Sequence, residues 1–253
     1  MNAPQFETVV LEQKGKIRIL KLNRAEKKNA LNKTLRSELK QALEFLTSDT
    51  KTQAVILYGG EEIFCAGFDK NEVTNLIQSG NPGDVREFAE DTIAFQEAIL
   101  KFPKLLVAAI NGYALGGGFD LAVLCHLRVA SELALFGHPE IGFGACPLFF
   151  PYYALVGRGK ALELTLNTAT QDRFIDAKEA YRLGIINKLS KKGEVLQDAI
   201  DLVKNIIKWP EFVVSLLLRV SNIVFDQVSM NRKELDYVSA ESIRLLQKTR
   251  SVS

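Results

Sequence analysis

Two glycine-bearing turns and two carboxylates are the groups in this 253-residue chain whose types and spacing could do chemistry. The first turn is Phe64-Cys-Ala-Gly-Phe-Asp69, which follows an apolar run. The second is Gly116-Gly117-Gly118, within NGYALGGGFD (111–120), a run that follows KLLVAAI and leads into LAVLCHLRVA. Glycine loses the most backbone entropy on folding, so Gly116-Gly117-Gly118 is costly unless bare backbone is needed there. A helix N-terminus presents unpaired N–H groups and the positive end of the dipole. Without a Cβ in the way, a ligand can reach them. Two such turns side by side would aim two donors at one point, which is how an oxyanion hole is built. Asp120 would lie on the first turn of the following helix, and Glu140 lies in Phe136-Gly-His-Pro-Glu-Ile141. Both acids have apolar neighbours, where an unpaired carboxylate is costly and its pKa rises. Taken singly, each residue also has a structural reading. Asp120 can serve as a dipole partner, Glu140 as a turn residue, and the glycines as tight packing.

Other common sites are absent. There is no G-x-S-x-G elbow. H-E-x-x-H has no counterpart, since the chain holds two histidines, His126 and His138. Val156-Gly-Arg-Gly-Lys160 lacks the leading glycine and the hydroxyl of a phosphate loop, and NGYALGGG does not fit GxGxxG. No metal site is expected.

The elements that must position these groups follow from periodicity. TVVLE and KIRILKL read as strands split by a Lys14-Gly15 turn. Asn32 to Thr34 caps a helix with Leu35, Leu39, Leu43 and Leu46 on one face. QAVILYG (53–59) and LLVAAI (105–110) read as buried strands. Residues 70–104 read as helix broken at Ser79-Gly-Asn-Pro-Gly83, and 117–126 as a short buried helix. LRVAS and ALFG are short strands. Helices are expected over 159–167, 176–182, 192–208, 210–226 and 231–247. The layout is α/β, with a core over residues 1–190 and a helical C-terminal region over 191–253, parted at LSKKGE.

Composition narrows the partners. A net charge of +2 gives no electrostatic case for nucleic acid or an anionic membrane. Cys65, Cys125 and Cys146 are odd in number and sit in apolar surroundings, so they read as reduced core residues in a reducing compartment. No apolar run reaches the length of a membrane span, and the N-terminus carries no secretory pattern, which makes the cytoplasm the expected location.

The chain resembles the crotonase (enoyl-CoA hydratase/isomerase) superfamily. The stretches that carry the likeness are NRAEKKNALN (23–32), AVILYGGEEIFCAGFDKNE (54–72), KLLVAAINGYALGGGFDLAVLCHLRVASELALFGHPEIGFG (104–144) and GRGKALELTLNTATQDRFIDAKEAYRLGIINKL (157–189). The resemblance implies a spiral of ββα units followed by a helical C-terminal trimerisation region, and a homotrimer or dimer of trimers. It implies an acyl-CoA thioester as substrate, with coenzyme A a part of it rather than a separate cofactor. The thioester oxygen would be held by the N–H groups of Phe68 and Gly117. Lys27, Lys28, Ala66, Asp69 and Gly116 match segments that bind coenzyme A. Family hydratases carry glutamates at the positions of Asp120 and Glu140.

Aspartate at 120 draws its carboxylate back by about 1.5 Å, one C–C bond. GACPLFFPYY (144–153) stands where many hydratases are rich in glycine and threonine, so Phe149, Phe150 and Tyr152 are expected to shape the acyl pocket. His126 replaces a common aspartate and His138 a common glutamine. The acid retained at 120 favours a hydratase that adds water across the C2–C3 double bond. The alternatives are a Δ3-Δ2 enoyl-CoA isomerase using Glu140 as single proton shuttle, and a non-catalytic acyl-CoA binder.

Overall fold

A computed structural model of the chain describes residues 4–229. Strands β1 (Val9–Lys14) and β2 (Ile17–Leu22) form an antiparallel hairpin, with Lys14 opposite Ile17. β2 then pairs in parallel with β3 (Ala54–Tyr58), β3 with β4 (Leu105–Ile110), β4 with β6 (Leu127–Ser131), and β6 with β9 (Lys188–Ser190). Every residue of β3 and β4 is buried, as strands covered on both faces must be.

The period of two divides those strands between two cores. On one face Leu20, Val55, Leu57, Leu106 and Ala108 meet Leu35, Leu39, Leu43 and Leu46 of α1 (Lys33–Ser48), together with α3 (Pro82–Leu100) and α4 (Gly117–Leu124). On the other, Ile19, Ala54, Ile56, Val107 and Ala109 meet Val195, Ala199, Ile200 and Val203 of α8 (Val195–Ile207). The polar break at 190 thus separates β9 from a helix that packs back on the same sheet.

A smaller sheet joins β5 (Tyr113–Leu115), β7 (Leu135–Gly137) and β8 (Ile175–Asp176). Between them run α5 (Phe150–Val156), α6 (Arg158–Asn167) and α7 (Ala177–Arg182), and α9 (Glu211–Ser229) ends the described chain.

The local signals act as the chemistry dictates. Asn32 caps α1 by accepting from the Leu35 N–H at 3.0 Å. The expected break after α2 (Lys70–Ser79) narrows to Gly80 and Asn81, because left-handed Gly80 ends one helix and Asn81, followed by Pro82, caps the next.

Two expectations need correction. Cys65 and Cys125 are buried, but Cys146 is exposed, because residues 142–146, the end of a 3-10 turn and the loop after it, lie on the surface. Residues 150–156 form a helix that periodicity did not reveal, Pro151 serving in its first turn. Tyr113–Leu115, just before the glycine triplet, adds a short strand. The helix expected over 231–247 lies outside the described residues.

His126, which the resemblance sets against a common aspartate, bridges β4 and α9. Its Nδ1 accepts from the Leu106 N–H at 3.1 Å, and Nε2 meets Asn222 Oδ1 of α9 at 3.2 Å. Burial pushes its pKa down to about 4, which keeps the ring neutral as those bonds require. Among the described residues no helix is long and apolar enough to cross a membrane, and no cluster of His, Cys, Asp and Glu could hold a metal.

Candidate active site

The two glycine turns touch. A Cβ on Gly67 would lie 2.7 Å from the Leu115 carbonyl oxygen and 3.3 Å from the Gly117 nitrogen. One on Gly118 would lie 2.3 Å from the Cys65 oxygen. Glycine is therefore required where backbone packs on backbone, and the missing side chains bring the two turns together.

Each turn contributes one amide that the fold leaves unpaired. Leu31 donates to the Gly67 oxygen at 2.8 Å and accepts from the Asp69 N–H at 3.3 Å. Those bonds flank Phe68, so alternation turns its own N–H away from Leu31. Gly117 is the first residue of α4 and has no carbonyl one turn back to accept its N–H. The Tyr113 oxygen, four residues earlier, already accepts from Phe64 and Cys65. Among the described residues neither amide has a backbone acceptor.

Glu140 stands beside them. A Cβ on Gly116, whose φ is 52°, would meet Glu140 Oε2 at 2.7 Å, so the carboxylate lies on the bare backbone next to the Gly117 amide. Its Oε1 pairs with His138 Nδ1 at 2.9 Å. Its Oε2 is buried without a protein partner, while the side chain as a whole remains 23% exposed.

Asp120 sits behind, on the first turn of α4, and is 4% exposed. Tyr152 donates its hydroxyl to Asp120 Oδ1 at 2.9 Å, and the Leu148 backbone N–H is a further donor. Burial, assisted by the nearby Glu140 charge, pushes the Asp120 pKa up to about 7 against the opposing pull of His138, Tyr152 and Leu148. Phe119 closes the chamber, its ring 5.3 Å from His138 and 5.0 Å from Tyr152. His138 itself is fully buried, and its Nε2 has no partner.

The other expected site residues are spread around this centre. Lys27 and Lys28 are exposed on a short 3-10 turn, and the Lys28 oxygen accepts from the Ala66 N–H at 3.0 Å, which joins two of the expected coenzyme segments. Asp69 is committed to the fold. It pairs with Arg24 at 2.9 Å and caps α2, and these contacts outweigh its burial and hold its pKa below the usual carboxylate value. Of the three aromatics assigned to the acyl pocket, Phe150 is buried edge-on against Phe225 of α9 at 5.5 Å, and Phe149 lies 6.2 Å from Tyr153. Tyr152 is fully buried and spends its hydroxyl on Asp120.

Sequence reasoning did not foresee two partners in this centre. Tyr152 as the hydrogen-bond donor to Asp120 follows from an unforeseen helix. His138 as the partner of Glu140 had a signal, two residues away in the same turn, but periodicity gives it no direction.

Comparisons with known proteins identify the family. The family model described as enoyl-CoA hydratase/isomerase matches residues 12–249. A crotonyl-CoA hydratase of Syntrophomonas wolfei is 34% identical over 221 residues, covering 86% of this chain and 82% of its own. A short-chain-enoyl-CoA hydratase of Clostridium acetobutylicum is 33% identical over 216 residues, covering 84% and 80%. The crystal structure of an enoyl-CoA hydratase from Bacillus anthracis superposes with a TM-score of 0.79 at 28% identity, covering 93% of this chain and 90% of that one. The chain belongs to the enoyl-CoA hydratase/isomerase family.

Proposed function

We propose that this protein is an enoyl-CoA hydratase that adds water across the C2–C3 double bond of an enoyl-CoA thioester. The observation that carries this reading is the Glu140 carboxylate lying against Gly116, beside the unpaired Gly117 amide. A thioester oxygen held by the Phe68 and Gly117 N–H groups would bring the β-carbon of the acyl chain within reach of Glu140. Charge that develops on that oxygen is stabilised by the two donors, each typically worth about 3 kcal/mol in such sites.

The two carboxyls take opposite roles because their surroundings differ. Glu140 pairs with His138 Nδ1 and is partly open to solvent, so it is the group placed to act as the base that takes a proton from water as the water oxygen bonds to C3. Asp120, held near pKa 7 by burial, keeps a proton that it can give to C2. Lys27, Lys28, Ala66 and Gly116 are proposed to contact coenzyme A. The exposed lysines suit its phosphates, whereas the Arg24 pair makes Asp69 a brace for that surface. Phe149 and Phe150 are proposed to flank the acyl chain, with Tyr152 acting through Asp120.

A second reading has its own observation. Asp120 is enclosed and already hydrogen-bonded, which favours a Δ3-Δ2 isomerase with Glu140 as the single shuttle between C2 and C4. Assays of 2-enoyl- and 3-enoyl-CoA substrates on the wild type, Asp120→Ala and Glu140→Ala separate the two. Hydration demands both carboxyls. Activity surviving in Asp120→Ala leaves the isomerase, and activity surviving in both variants sinks both readings. Coenzyme A binding without any turnover by the wild type would leave a non-catalytic acyl-CoA binder.

The spiral of ββα units is supported by the chain passing from β4 to β5 and from β6 to β7, each time from the large sheet to the small one. A homotrimer, or a dimer of trimers, is supported by the exposed Phe212, Leu216, Leu217, Val220 and Val224 on α9, an apolar face that a monomer leaves in water. Light scattering of the purified protein tests it. Three cysteines that form no disulfide fit a reducing compartment such as the cytoplasm.

A further inference from the structure

Arg36 is a charge inside the core. It lies on the inner face of α1 and is 1% exposed. Such a group is expensive to bury unless every donor is used. Its Nη1 donates to the Leu31 oxygen at 3.0 Å and to Glu72 Oε2 at 2.9 Å, Nη2 to Glu72 Oε1 at 2.9 Å, and Nε to Asp91 Oδ2 at 2.8 Å. One guanidinium thus ties α1, α2 and α3 together. Lys40 shares Asp91 and keeps that carboxylate paired on its other oxygen.

The same guanidinium bears on the proposed oxyanion hole from two sides. Leu31, whose oxygen it holds, makes the two backbone bonds that flank Phe68. The Phe68 ring lies 5.7 Å from the guanidinium carbon and packs edge-on to Phe88 at 5.5 Å. On its other side that ring rests on Gly117, where a Cβ would come within 2.7 Å of it. Phe68 and Gly117 are the residues whose amides form the proposed hole. α2, which begins two residues after Phe68, has no buried residue of its own. Apolar packing therefore does little to hold it, and the bidentate Arg36–Glu72 pair is its firmest tie to the core.

We infer that Arg36 is a positioning residue for the reaction, a clamp from the buried face of α1 that fixes the Phe68 amide relative to the Gly117 amide. The inference rests on the oxyanion reading above. Removing the clamp frees Glu72 and the start of α2, lets the Phe68 ring lift from Gly117, and turns the Phe68 N–H off its target. Transition-state stabilisation is then lost while most of the coenzyme-binding surface is untouched.

The test uses Arg36→Met and Glu72→Gln in the full-length protein, with butyryl-CoA labelled with 13C at the carbonyl as an unreactive probe. Difference infrared spectroscopy of the bound probe reads how far the two donors lower the C=O stretch. Arg36→Met is expected to lose most of that downshift and about tenfold in kcat, with KM within about twofold, since an ångström of misalignment at reacting groups can cost more than this. Glu72→Gln keeps the guanidinium over Phe68 and is expected to move both readouts in the same direction by less. It serves where Arg36→Met does not fold. A folded variant of either kind with a lower melting temperature but wild-type stretch and kcat would overturn the clamp and leave Arg36 as a brace alone. Absence of any downshift in the wild type would instead remove the oxyanion reading itself, and the clamp with it.

Discussion

The Glu140 turn and the Asp120 helix hold the same functional group in opposite settings. Glu140 sits in a five-residue 3-10 turn, none of whose residues is buried. Asp120 sits in a helix whose every residue is buried. Yet the two interact, since the Glu140 charge helps to raise the Asp120 pKa. The difference teaches that enclosure separates two groups of one chemical type, and the roles proposed for them follow from it. A half-open carboxylate paired with one imidazole is suited to take a proton. A sealed one is suited to hold it.

The sharpest way to break that contrast is Glu140→Gln, which keeps the shape and removes the base. Hydration of a 2-enoyl-CoA should fall about 10³-fold in kcat, the middle of the range that one positioned base contributes. A loss under tenfold would mean that Glu140 is not the base. Asp120→Asn should cost about 10²-fold in kcat, yet stabilise the fold. The sign follows from the raised pKa. The folded state holds a proton that the unfolded state releases near 3.8, so Asp120 increasingly destabilises the wild type as pH rises from there through about 7. The gain in melting temperature of Asp120→Asn should therefore grow between pH 5 and pH 8. An unchanged difference across that range would deny the sealed, protonated state.

Two smaller effects sharpen the contrast. If Asp120 gives its proton to C2, kcat/KM of the wild type should decline on the alkaline side with an apparent pKa of about 7, and Asp120→Asn should lack that limb. A flat alkaline profile would move the reading to the single-base isomerase. Tyr152→Phe removes the hydroxyl that helps to lower the Asp120 pKa, so the same limb should shift upward by about one to two units, the size of one hydrogen bond to a charged group. Displacement in the opposite direction would show that Tyr152 acts elsewhere.

The parts of the fold that obey short-range rules were legible. Asn32, Gly80 and Pro82 mark helix ends because capping and dihedral preferences are local. Leu35, Leu39, Leu43 and Leu46 face the core because a period of 3.6 leaves no other choice. Arg36 shares that face and escaped notice, since a charge is assigned to solvent until its partners on α2 and α3 are seen. α5 escaped too, because a short apolar helix looks like any other apolar run. The placement of α8 on the second face of the sheet is likewise a matter of packing, and a polar break at 190 gives no hint of it.

The sequence by itself offered two glycine turns and two acids with apolar neighbours, and the resemblance brought them to one site. Glycine and aspartate state such things through their own geometry and charge. Tertiary structure alone decided which acid is open and which is shut, that Tyr152 reaches Asp120 and His138 reaches Glu140, and that an arginine on α1 bears on Phe68. These depend on distances between residues far apart in the chain. Burial, which sets the pKa of a carboxyl, exists only once the surrounding elements have closed around it.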